Sequence, residues 1–137
     1  MINDFVDDLV TIFGNFSTYS SLKAPKIYTY EKNTFEHMPS LVILPISTDV
    51  TAQEAGGEIL QSSIMAVLWW RYKQKTLPDQ LYDYEVDLRK TVWNQKLLNN
   101  RYFRVTLAEY GMSQTAGSVT YKPLILTIIA RDQYNYV

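Results

Sequence analysis

Two apolar runs in this sequence are longer than a small sheet needs, and they limit the fold more than any other feature. Residues 59–72, ILQSSIMAVLWWRY, and residues 119–131, VTYKPLILTIIAR, are dense in β-branched and aromatic side chains. Such side chains fit a pleated, half-buried surface. At ~3.3 Å per residue the first run reaches about 46 Å when extended. In the second run Leu124, Leu126, Ile128 and Ala130 share one parity, and Ile125, Thr127 and Ile129 share the other. Both runs are therefore expected to be strands that bend midway or project past the domain body. Strand length beyond the sheet is expected to leave unpaired edges that a neighbouring copy can use.

The remaining pattern supplies helices to cover such a sheet. Asn3 is placed to cap a helix over residues 3–13, with Asp4 and Asp7 in its first turn, where negative charge is favoured. Phe5, Val6, Leu9, Val10 and Phe13 form one stripe, and Gly14 stops it. A second helix is expected to open at Pro78 or Asp79. Leu81, Tyr84, Leu88 and Val92 make its stripe, and Glu85 stands four residues before Arg89, the favourable order. It should end between Asn94 and Asn99, with Asn99-Asn100 as a turn.

Short strands are expected at residues 26–30, 41–46 and 101–107. Pro45 places the middle one at an edge or at a bulge. Residues 15–25 read as a polar, turn-rich link. Residues 47–58, with Gly56 and Gly57, and residues 108–118 read as long connections, and residues 132–137 as a polar-aromatic tail. The order implies a single α+β domain over residues 1–137: one antiparallel or mixed sheet of four to five strands with two helices on one face.

Much chemistry is excluded by residue type. The chain has no cysteine, so thiol catalysis, disulfides and cysteine-ligated metals are ruled out, and one histidine, His37, rules out a multi-histidine metal site. Paired carboxylates at Asp79, Asp83 and Asp87 have the spacing of a solvated helix face, and Gly56-Gly57 lacks the residues of a phosphate-binding loop. The expectation is no enzyme and no cofactor. A net charge of -1 gives no bulk case for nucleic-acid binding, and the longest apolar run, residues 65–70, is far too short to span a membrane. The expected protein is soluble and intracellular.

Aromatic residues make up 14% of the chain, including eleven tyrosines, a bias that favours sheet surfaces and protein contacts. Trp69, Trp70, Arg71 and Tyr72 form a basic-aromatic cluster suited to anchoring an interface. Gly56 and Gly57 in one connection, Tyr110 and Met112 in the other, and Tyr121 complete the candidate interface residues.

The acidic amino-terminal helix, the P-x-L-V-I-like strand at residues 39–46, the glycine-containing segment 48–58, the long strand 59–72, the amphipathic helix 79–92 and two carboxy-terminal strands follow one another. This element order resembles the tail terminator, or tail completion, proteins of long-tailed bacteriophages. The resemblance covers most of the chain and rests on layout rather than on a diagnostic motif. It implies a structural virion protein of the tail and neck region, assembled in the host cytoplasm. Its form would be a hexameric ring that caps the tail tube, stops tube polymerisation and meets the head–tail connector. Tube and neck contacts would then fall in segments 48–58 and 108–118. The alternatives are another head-completion or neck adaptor protein, or a small monomeric or dimeric binding module.

Overall fold

The computed structural model describes residues 2–31, 39–52, 57–72, 78–116 and 119–135. Their order is α1 (Ile2–Gly14), α2 (Phe16–Tyr19), β1 (Lys26–Tyr28), β2 (Ser40–Ala52), β3 (Gly57–Tyr72), α3 (Pro78–Asn94), β4 (Leu97–Leu98), β5 (Arg101–Tyr110), β6 (Gln114–Ala116) and β7 (Val119–Asn135). The strands form one seven-stranded sheet in the order β1-β2-β3-β7-β5-β4, with β6 paired to β7. β1 runs parallel to β2 and every other pairing is antiparallel, so the sheet is mixed. The α+β class and the placement of helices on one face agree with the sequence reading. The four to five strands expected there become seven.

Alternation along the strands makes the core. Leu41 and Ile43 of β2, Leu60, Ile64, Ala66 and Leu68 of β3, Leu124, Leu126, Ile128 and Ala130 of β7, and Phe103 of β5 all point to the helix layer and are buried. Phe5, Leu9, Ile12 and Phe13 of α1, and Leu81, Tyr84, Leu88 and Val92 of α3, bury their stripes against them. The short α2 was not anticipated. Four residues are too few to show a period, yet Phe16 is fully buried and stacks on Tyr84 at 5.8 Å. Gln95 clips the far ends of α1 and α3 together, donating from Nε2 to the Ile12 carbonyl at 2.9 Å.

The two long runs are strands, and most of each is paired on both sides. β3 and β7 pair with each other from Gly57↔Asn135 to Tyr72↔Thr120. β2 covers the other side of β3 from Glu58 to Trp69. β5 covers β7 from Leu124 to Arg131, and β6 covers it from Val119 to Tyr121. The expectation that these strands would offer their own edges to a neighbour is thus corrected: each is the other's partner, and they form the sheet centre. Among the described residues the longer stretches without a strand partner lie along the outer side of β2 beyond Val42 and of β5 beyond Phe103, while residues 70–72 of β3 and 132–135 of β7 run past β2 and β5.

Both expected connections are also largely strand. β2 continues through residues 47–52, and Thr48 Oγ1 lies 2.9 Å from Ser62 Oγ across the pair. Residues 53–56, including Gly56, lie outside the described residues. In the second segment β5 runs on to Tyr110 and β6 turns back against β7. The tail is extended to Asn135. Two local expectations match the structure. Pro45 precedes a register shift between Pro45 and Ser47, and Asn99 and Asn100 have φ of 52° and 62° between β4 and β5. Positive φ at both positions is what a two-residue type I′ hairpin turn requires.

Candidate assembly interface

Of the described residues singled out in the sequence, those of segments 69–72 and 110–112 and Tyr121 lie toward one end of the sheet, on both of its faces, and Gly57 lies at the other. Trp69 and Arg71 lie on the sheet face away from the helices, and Arg71 is registered opposite Tyr121 on β7. Trp69 and Tyr121 are half-buried and Arg71 is exposed. Trp70 points the other way and joins the core margin, its ring 5.3 Å from that of Tyr84. It packs on the helix layer while remaining half-buried. Tyr72 pairs through its backbone with Thr120. Gly57 sits at the opposite end of β3, a 16-residue strand and so roughly 50 Å away. Among the described candidates Gly57 thus stands apart from the rest.

Tyr110 and Met112 lie on the β5 side. Met112 is 87% exposed. Tyr110 Oη donates a hydrogen bond to Glu85 Oε1 of α3 at 2.9 Å. Partial burial, helped by that carboxylate, pushes the Tyr110 hydroxyl up to about 12. Between them Gly111 donates its amide to the Pro123 carbonyl at 2.9 Å. A β-carbon on Gly111 would stand 2.6 Å from Pro123 Cγ, so this close approach needs glycine. Tyr84 Oη donates to the Lys23 carbonyl at 2.7 Å, and burial pushes that hydroxyl up to about 12 as well.

Two features had weaker sequence signals. The first is Arg101, which ties both termini of the fold to β5. Its Nη1 donates to Asp8 Oδ2 at 2.8 Å and its Nε to Asp132 Oδ2 at 3.0 Å, with Asp4 at 3.7 Å. These carboxylates hold the guanidinium above its usual pKa, the Asp8 hydrogen bond contributing most. The second is a cleft of about 430 Å³ between α3 and β5, lined by Val86, Arg89, Val92, Trp93, Phe103 and Val105 with Lys90 and Arg104 at its rim. Trp93 is 59% exposed, and Lys96 Nζ lies 3.7 Å above its ring. In the sequence Trp93 falls off the Leu81, Tyr84, Leu88 and Val92 stripe, a sign that it faces out.

No group of three or more metal-ligating side chains occurs among the described residues, and His37 lies outside them. No described helix is long and apolar enough to cross a membrane. The face away from the helices carries Met65, Ile125 and Ile129 half-buried, and Ile46, Val50, Leu107 and Tyr110 are exposed on or beside the two sheet edges. Compared with models of known protein families and with curated protein sequences, the chain matches none.

Proposed function

We propose that this chain is a non-catalytic assembly protein that closes into a ring, in the manner of the tail terminator proteins its element order resembles. In that role the ring is hexameric and caps a phage tail tube. One face stops tube growth, and the other meets the head–tail connector in the neck of the virion. Nucleic acid, cofactor and membrane play no part in the role.

One observation carries the reading. Among the described residues, β2 and β5 have stretches of backbone without a strand partner on two opposite sides of the sheet, and the four long strands β2, β3, β7 and β5 alternate in direction. If copies follow one another around an axis, β5 of one and β2 of the next meet antiparallel, so the sheet can continue from copy to copy without a parallel seam. A contact between two different patches closes into a ring when its rotation permits. Each contact can be modest, because six together act by avidity. The overlong β3 and β7 then serve as the stiff central pair of each copy, not as the joint.

Growing tail tubes distinguish the readings. Adding the protein to polymerising tube protein should fix the final length and leave a ring at one end under the electron microscope. Tubes that grow unchanged while the protein binds connector instead would favour the neck-adaptor alternative.

A further inference from the structure

The ring reading leaves open which part of each edge forms the joint. We infer that residues 47–52 of β2 in one copy lie as an added strand along the outer edge of β5 in the next, in the cleft beneath α3. This rests on the ring reading and goes beyond it by naming the joint.

The acceptor is the cleft lined by Val86, Val92, Trp93, Phe103 and Val105. β4 pairs with β5 only through Arg101 and Tyr102, and Phe103 donates its amide outward to the Lys96 carbonyl at 2.8 Å. Beyond that bond no described strand meets the outer edge of β5. A strand edge walled by a helix on one side accepts an extended segment: backbone bonds hold it, and alternate side chains enter the apolar cleft.

The donor is the regular end of β2. Pro45 and the register shift after it break the ladder, and proline and bulges are devices that keep edges from pairing. Past them residues 47–52, STDVTA, run straight against β3. Val50 is 56% exposed and is registered with Leu60, which places it on the helix side of the sheet, the side of Phe103 and Val105. Asp49 takes the other side, through the rung Asp49↔Gln61↔Arg131↔Tyr102, and so shares a face with Arg104. The donor has one acid and no base, while the cleft rim has Lys90 and Arg104, with Arg89 engaged by Glu85 at 3.0 Å. One copy thus offers an apolar knob and a carboxylate, and the next offers an apolar cleft and cations. Complementary charge of this kind fixes partner and register.

Charge exchange tests this on the full chain. Sedimentation velocity would follow association of the wild type, Arg104→Glu, Asp49→Lys and the double variant Arg104→Glu with Asp49→Lys. Val50→Ser would join the series as a change that touches no charge. The four substituted chains have altered only exposed positions, so their melting curves should match the wild type. Each single variant is expected to weaken association about tenfold or more, and the double variant to recover most of the loss. A wild type that forms rings while every single variant does the same overturns this joint and leaves the ring reading standing. A double variant no better than the singles also overturns the joint. A wild type that stays monomeric up to high micromolar concentration overturns both.

Discussion

Replacing Arg101 with methionine removes the group that fastens α1 and the end of β7 to β5. Asp8 is 5% exposed and would keep only the hydrogen bond from Asn99 Nδ2 at 2.8 Å. Asp132 would lose the Arg101 bond at 3.0 Å, while Asp4, half exposed at 3.7 Å, would lose little. Breaking one side of a buried ion pair typically costs about 3–5 kcal/mol. The Arg101 side chain is 19% exposed, so the lower end applies, about 3 kcal/mol. In a chain of 137 residues that is a fall of roughly 10 °C in melting temperature. Arg101→Lys should lose about half as much, because one ammonium cannot meet two carboxylates with the fork of a guanidinium. Urea unfolding of Arg101→Met, Asp8→Asn and the double variant would give the coupling directly. The reasoning predicts a coupling of at least about 1.5 kcal/mol. It is refuted if Arg101→Met unfolds within about 0.5 kcal/mol of the wild type, or if the two losses simply add.

The remaining predictions follow from single contacts. Gly111→Ala drives its new methyl against the buried ring of Pro123 and should cost about 1–3 kcal/mol in urea unfolding. Asn100→Ala places alanine at a φ of 62° and should cost about 1 kcal/mol, whereas Asn100→Gly should not destabilise. Tyr84 and Tyr110 both have folded-state pKa values raised to about 12 from an unfolded value near 10. Their contribution is therefore complete below about pH 10 and is lost as pH rises toward 12. For buried Tyr84 the loss approaches about 2–3 kcal/mol, with less for the half-exposed Tyr110. Urea midpoints measured from about pH 9 upward should fall for the wild type and fall less for Tyr84→Phe.

The periodic parts of this fold are legible in the sequence because burial imposes the period. Leu9 and Phe13, or Leu88 and Val92, recur as they do because one face of each helix meets the sheet. Asn99-Asn100 and Pro45 are legible for a different reason: each has a backbone preference that fixes local geometry whatever surrounds it. Residues 47–50 carry no such mark. They are strand with both faces exposed, so alternation has nothing to record, and they read as a connection. The same holds for β6, three residues held by β7 alone. The pairing of β3 with β7 was also hidden, since strand length shows reach but not which partner absorbs it. The α3–β5 cleft is made by the packing of two elements, and no stretch of sequence contains it. Of the candidate residues, Trp70 looked like an anchor because tryptophan serves both interface and core. Its packing on Tyr84 could not be read from the sequence.

The central claim is that copies of this chain join edge to edge into a closed ring. Light scattering coupled to size exclusion, with negative-stain microscopy of the same fractions, measures that most directly. The account predicts a discrete species that does not grow with concentration, six copies of 15.9 kDa seen as rings with an open centre. A single 15.9 kDa species at every concentration, or mass that climbs without limit into open filaments, would contradict it.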